Sequence, residues 1–276
     1  MKTVFVPVVT AAKEGTQMTN QDMLKIAMKQ SAEDIGCSAE DFLQSQNIVV
    51  PFHLGSKAKI CYRLPISCYF ISYGHNVVAA SSDEIYEVVK AYVEQFSFIG
   101  CFETPNMYWL NQKLAPLGHT VCIMAEYFLP DLSRLKKLPC AYELRILEQS
   151  DFEDLYVPEW SDAISYERKQ HDVLGVGAYD HGKLVGLAGG STDAEEMWQI
   201  GVDVLPDYRR RGIASALTTI LAKEILKHGK VPFYCSAWSN IRSVRNAVKS
   251  GFIPAWVEMT AKPTLIVDDL NRTEEA

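Results

Sequence analysis

The residues richest in chemical potential run Val202-Asp203-Val204-Leu205-Pro206-Asp207-Tyr208-Arg209-Arg210-Arg211-Gly212-Ile213-Ala214-Ser215. An apolar strand stops at a proline, three arginines and a glycine follow, and a helical run extends from Ala216 to Lys227. A strand turning into a helix this way aims several free backbone N–H groups at one point, beside the positive end of the helix dipole. The chemistry this supports is the capture of a small polyanion, a pyrophosphate above all. Backbone N–H groups from about Arg210 to Ser215 act as donors and the arginines add charge, while Gly212 and Ala214 are small enough to let a phosphate approach the backbone.

The rest of the chain bounds what this cradle serves. At 276 residues the chain is long for one compact domain and comfortable for two. Its 48% hydrophobic and 22% charged residues exclude a disordered or fibrous protein. A net charge of −7 excludes a general nucleic-acid binder, so Arg209 to Arg211 form a local cationic spot in an acidic protein. No run of about 18 apolar residues is present, and no membrane association is expected. The start, Met1 to Ala12, reads as an N-terminal strand; as a signal peptide it is too short, broken by Pro7 and followed at once by Lys13 and Glu14. The seven cysteines are scattered without a Cys-x-x-Cys pair, and the six histidines do not join them at metal-ligand spacing. We expect no metal, buried thiols and a cytoplasmic location.

The elements that must position the cradle follow from periodicity. Asn20 is placed to cap a helix running to about Ile35, and Ser38 with Asp41 marks a second short one. Short apolar runs at Ile48–Pro51, Ala58–Arg63, Cys68–Ser72 and Asn76–Ala80 read as strands. Ser81 with Glu84 forms a capping box before an amphipathic helix carrying Ile85, Val88, Val89, Tyr92 and Phe96 on one face. A helix after Pro105 ends at Gly118, and His119–Leu129 reads as a strand. Pro130 to Cys140 links two units, 1–135 and 140–267. In the second unit Tyr142–Leu147 is a strand, Ser150–Gln170 a polar, aromatic helical region, and Leu174–Tyr179 and Lys183–Ala188 are paired strands. Glu196–Val204 leads into the cradle, Val231–Trp238 follows its helix, Asn240–Ser250 is a helix closed by Gly251, and Phe252–Met259 is a final strand. The tail Asp268–Ala276 is charged and expected to fray.

Two motifs in this order resemble a known family. Arg209-x-x-Gly212-x-Ala214 is similar to the acyl-CoA-binding motif of the GNAT N-acetyltransferases, and Asn240-x-x-Ser243 followed by Gly251-Phe252 is similar to the family's second motif. The resemblance covers about 130 residues from position 142 and implies an α/β (α+β) acyl-CoA N-acyltransferase fold at the C-terminus, a mixed, mostly antiparallel sheet flanked by helices. The N-terminal α/β unit echoes it: Asn106 to Gly118 and a strand parallel Asn240 to Gly251 and a strand. That echo fits a degenerate second copy of the fold, and equally any strand–helix–helix–strand unit. Trp238-Ser239-Asn240 and the N-terminal layout also resemble two-domain bacterial GNAT proteins, including the antibiotic self-resistance type.

The resemblance implies acetyl-CoA as co-substrate and a small-molecule or peptide amine as acceptor, with a homodimer as one permitted assembly. It implies that Arg209, Arg210, Arg211, Gly212, Ile213, Ala214 and Ser215 hold the pyrophosphate, and that the backbone of Val202 and Val204 pairs with the pantetheine arm. Asn240 caps its helix and, by the resemblance, contacts the same arm, with Ser243 beside it. The family's proton-handling positions differ here: Trp198 stands where many members carry a glutamate base, and Ala247 where many carry a tyrosine acid. Glu196, two residues before Trp198, and Asp203 are the substitute base candidates, each also readable as an ordinary exposed carboxylate. Tyr234, Ser236 and Ser243 are candidate proton donors, and Trp160, Tyr166 and Trp198 can line an acceptor pocket or serve as core. An acyl intermediate on Cys235 is the less favoured alternative to direct transfer in a ternary complex.

Gly175-x-Gly177-x-x-Asp180 lacks the third glycine of a dinucleotide fingerprint and leads into a hairpin, and no phosphate loop ending in Gly-Lys is present. Two function classes stay in view: an acetyl-CoA-dependent N-acetyltransferase, and a CoA-binding sensor or pseudoenzyme on the same fold.

Overall fold

A computed structural model describes residues 18–59 and 65–274. The expected N-terminal strand, and most of the one expected at 58–63, lie outside the described residues; Ala58 and Lys59 themselves are in no strand. Among the described residues ten strands form one sheet. In chain order they are β1 (Ile48–Pro51), β2 (Cys68–Ser72), β3 (Val78–Ser81), β4 (His119–Pro130), β5 (Glu143–Glu148), β6 (Asp172–Asp180), β7 (Lys183–Ser191), β8 (Met197–Val204), β9 (Val231–Ser236) and β10 (Phe252–Pro263). The helices are α1 (Asn20–Ile35), α2 (Tyr86–Gln95), α3 (Thr104–Leu114), α4 (Ile213–Lys227), α5 (Ile241–Lys249) and α6 (Thr264–Glu274).

The spatial order is β1-β3-β2-β10-β4-β9-β8-β7-β6-β5. Only β1–β3 and β8–β9 pair in parallel, so the sheet is mixed and mostly antiparallel with helices on its faces. β10, from the end of the chain, lies between β2 and β4 and pairs antiparallel with both. One face at this seam is covered by α1, whose Met23 and Ala27 pack with Tyr69, Ile71, Phe233, Met197 and Trp256 from strands of both halves. On the opposite face Ile213, Leu217 and Leu221 of α4 pack on Val176, Val185 and Ile200. The alternation of strand side chains sorts these two faces.

Several local expectations are corrected. Thr19, not Asn20, caps α1: its Oγ1 accepts from the Asp22 N–H at 3.2 Å, and Asp22 returns the bond to complete the box. Asn20 opens the helix and ties it to the chain after β4, donating to Asp131 and accepting from the Leu132 N–H. Ser81 ends β3, Ser82 takes the cap position without a side-chain bond, and α2 begins at Tyr86. The region 150–170 is a chain of single 3₁₀ turns, not a helix. Pro158 has no N–H to continue a helix there, and the N–H groups of Asp162, Ala163 and Ser165 are taken by the carboxylates of Asp203 and Asp172. The tail is ordered into α6 as far as Glu274.

Candidate active site

The site begins with a parallel pair that comes apart. β8 and β9 are in register only over Met197–Gln199 and Val231–Phe233. Beyond Phe233, β9 is held by β4, with Tyr234, Cys235 and Ser236 opposite Phe128, Tyr127 and Glu126. β8 instead follows β7, pairing as far as Val204 with Gly186. A wedge therefore opens between the two strands toward their C-terminal ends.

Hydrogen-bond phase decides which backbone groups face it. The Leu205 N–H donates to the Val185 carbonyl at 3.0 Å. Bonded pairs alternate along an antiparallel ladder, so 203 and 201 bond to β7 while Val202 and Val204 turn their backbone groups into the wedge. The Val204 carbonyl there accepts from Arg209 Nε at 3.0 Å. The Val202 and Val204 side chains pack into the core beneath α4, so a core role and a backbone role coexist in the same residues.

The cradle lies at the mouth of the wedge. Arg210 has φ +65° and Gly212 has φ +81°, both left-handed, and Gly212 occupies the N-cap of α4 without any side-chain cap. The first in-register bond of the helix is Ala216 N–H to the Gly212 carbonyl at 3.2 Å. The six preceding N–H groups, from Arg210 to Ser215, have no acceptor among the described residues. An uncapped helix start with open donors and a positive dipole end suits an anion. A Cβ at Gly212 would meet only Lys249 Nζ, at 3.8 Å, so the cradle is open and has a further cation beside it.

The three arginines divide their work. Arg211 braces the turn, donating to the Tyr142 hydroxyl at 2.7 Å and the Asp207 carbonyl at 2.9 Å, while Tyr208 donates to Asp180 at 3.0 Å. Arg209 is tied back to β8 as described above. Arg210 is exposed and its guanidinium has no protein partner among the described residues. Ile213 and Ser215 are buried against the sheet, and the Ser215 hydroxyl donates to the Gly212 carbonyl at 3.1 Å. Across the wedge Asn240 caps α5 by accepting from the Ser243 N–H at 3.2 Å, and the Ser243 and Tyr234 hydroxyls are bonded at 2.8 Å. Ala247 is fully buried within the core beneath α4.

The structure separates the two carboxylate candidates. Glu196 is exposed just before β8 and is paired with Lys230 at 3.1 Å. Asp203 is half-buried on the face opposite α4, and its Oδ2 accepts the N–H groups of Asp162 and Ala163, each at 2.9 Å. Burial, opposed by those bonds, pushes its carboxyl up to about 6. Gly201 and Gly189 on the same face let the 162–163 backbone come close: a Cβ would stand 1.9 Å from the Asp162 carbonyl and 2.1 Å from that of Ala163.

The three aromatics do not gather into one pocket. Trp160 is buried in a core with Phe152 and Leu187, Tyr166 is exposed, and half-buried Trp198 lies with its ring 5.8 Å from that of His228. The Cys235 thiol, which accepts from Gln199 Nε2 at 3.3 Å, is pushed up to about 12 by burial and stays protonated.

A charged group on this face escaped sequence reasoning. Lys59, buried, pairs with Asp34 at 3.2 Å and Glu258 at 3.7 Å, and its ammonium lies 5.4, 5.6 and 5.8 Å from the ring centres of Tyr127, Phe233 and Trp256. Asp193, also buried, accepts from Arg168 at 2.5 Å. The available signal was a charge interrupting an apolar run, as in Val257-Glu258-Met259 and Ala58-Lys59-Ile60.

Comparison with known proteins bears on the same stretch. Residues 141–252 match the acetyltransferase (GNAT) family. An acetyltransferase of Yersinia pestis (strain Pestoides F) is 37% identical over 99 residues, spanning 32% of this chain and 70% of that relative. Among solved structures, a GCN5-related N-acetyltransferase from Kribbella flavida is 10% identical, with a TM-score of 0.49 over 87% of this chain and 95% of its own. A GCN5-related N-acetyltransferase-like protein from Streptococcus suis is 23% identical, with a TM-score of 0.43 over 55% of this chain and 68% of its own.

Proposed function

The chain belongs to the acetyltransferase (GNAT) family, and on that premise we propose that it moves an acetyl group from acetyl-CoA to an amine by direct transfer in a ternary complex. The observation that carries this is the wedge between β8 and β9 opening onto six consecutive unsatisfied N–H groups. Those groups and the Arg210 guanidinium suit the pyrophosphate, and the backbone of Val202 and Val204 suits the amides of an extended pantetheine arm. Unit 140–267 then binds the donor, and unit 1–135 walls the acceptor side.

The co-substrate supplies the acyl group as a thioester, open to attack by an amine as the thiolate departs. The protein's part is to orient, to exclude water and to handle two protons. Asp203 is the base we assign: its pKa is raised to about 6, it faces away from α4, and its Oδ1 has no partner among the described residues. Glu196, exposed and already paired, fits that role less well. The Tyr234–Ser243 hydroxyl pair is the proton source we assign to the α5 side of the wedge.

Isothermal titration with acetyl-CoA, against an Arg210→Ala/Gly212→Glu variant, tests the donor site. We expect sub-millimolar binding that the double substitution abolishes; an unmutated protein that fails to bind CoA sinks the proposal. A second reading, a CoA-binding sensor without turnover, is favoured by Trp198 and by the packed Ala247. In that case no amine in a broad panel releases free thiol above the hydrolysis background.

A further inference from the structure

Arg210 is held in a conformation that its own residue type disfavours. Its φ of +65° is left-handed; among the described residues the only other such non-glycine is His181, in the tight turn between β6 and β7. An L-residue stays in this region only where its surroundings fix it there. The conformation matters because it turns the N–H groups that follow toward the cradle. The backbone ladder of the turn stops short of it. The Tyr208 and Arg209 N–H groups donate to the Leu205 and Pro206 carbonyls at 2.9 and 3.2 Å, and from Arg210 onward no acceptor is present among the described residues until Ala216.

The restraint comes from the side chains on either side. Arg209 Nε donates to the Val204 carbonyl at 3.0 Å. Arg211 reaches back past Arg210 to the Asp207 carbonyl at 2.9 Å and outward to the Tyr142 hydroxyl at 2.7 Å. Its guanidinium lies 5.3 Å from the centre of the Tyr208 ring. That ring meets the Tyr142 ring edge-on at 5.7 Å, and its hydroxyl anchors it to Asp180 at 3.0 Å. Tyr142 precedes β5 and Asp180 ends β6, so both anchors come from outside the β8–α4 connection. The Tyr142 ring packs on the core beneath α4, and its hydroxyl is what it gives to this bracket.

We infer that Tyr142 is a positioning residue of the donor site: through Arg211 it holds Arg210 left-handed, so that the cradle is formed before the donor arrives. The inference rests on the donor site proposed above and adds to it a residue that touches neither the donor nor the reacting atoms. A site that is competent only part of the time binds with its affinity reduced by that fraction. The bracket therefore acts on donor affinity. Glycine enters the left-handed region without steric cost, so a cradle with glycine at position 210 has little need of the bracket.

The test titrates acetyl-CoA into the unmutated protein, Tyr142→Phe, Arg210→Gly and the double variant. Tyr142→Phe removes one oxygen and keeps the ring. It weakens acetyl-CoA about fivefold, the size of one net hydrogen bond. Arg210→Gly starts weaker, having lost its guanidinium, and adding Tyr142→Phe to it costs less than about twofold. A general loss of packing would instead weaken both backgrounds alike. Equal losses in the two backgrounds, or no loss in the first, overturn the inference. Backbone NMR order parameters at residues 210–212, measured without ligand, give a second readout and fall in Tyr142→Phe. If the unmutated protein binds no acetyl-CoA, the donor-site assignment falls by itself. Order parameters that fall in Tyr142→Phe then still uphold the bracket, and unchanged ones overturn it.

Discussion

Leu205 donates its backbone N–H to the carbonyl of Val185 at 3.0 Å, and this one bond sets the phase of β8. Shifted by one residue, the ladder would spend the backbone of Val202 on β7 and turn the 201 and 203 positions into the wedge. The donor site as proposed depends on this phase and on β9 leaving β8 after Phe233.

Arg210 is the arginine of its triplet without a protein partner among the described residues. Arg210→Ala lowers acetyl-CoA affinity about tenfold, the size expected for one charge-assisted phosphate contact, and flattens the fall of affinity with salt. Titration calorimetry at two ionic strengths measures both. Arg211→Ala instead lowers the melting temperature, because Arg211 bonds to Tyr142 and the Asp207 carbonyl.

Restoring the family's tyrosine does not restore an acid. Ala247 is fully buried, and Ala247→Tyr overpacks the core at a cost of about 1–3 kcal/mol, without a gain in turnover. Urea unfolding and a thiol-release assay check the two halves of this statement.

Asp203 makes stability depend on pH in a stated direction. Its carboxyl is raised from an ordinary 3.8 to about 6 by burial, so between those values the folded protein holds more proton than the unfolded chain. Stability therefore falls as pH rises through that window. Asp203→Asn, whose side-chain oxygen still accepts from Asp162 and Ala163, removes this dependence and is relatively more stable above pH 6. Melting temperatures across pH 4 to 8 test it, and the same variant loses most turnover if Asp203 is the base.

Lys59 answers two buried carboxylates, Asp34 and Glu258. Lys59→Met removes the ammonium that both carboxylates face and costs about 3–5 kcal/mol, read from denaturant midpoints. A loss below about 1 kcal/mol would show that the cluster contributes no more than a surface pair.

Gly201→Ala places a Cβ where the Asp162 carbonyl stands. The turn at 158–164 must move, which weakens an amine acceptor and leaves acetyl-CoA affinity in place, because the displaced segment lies across the sheet from α4. Separate titrations of the two ligands decide it.

The sequence by itself determined what is local. Pro206, the small residues after Arg211, the Asn240 cap and the alternating strands around them act within a few residues, through backbone sterics and short hydrogen bonds. These made the cradle and the family legible. Tertiary structure alone decided the rest. No periodicity shows that β10 lies between β2 and β4, or that Asp203 takes the N–H groups that a helix at 150–170 would have needed. Lys59 reads as an ordinary surface lysine until strands from both halves bring Asp34, Glu258 and three aromatic rings around it. Those outcomes depend on which distant groups burial brings together and on how desolvation reweights their charges, and chain order records neither.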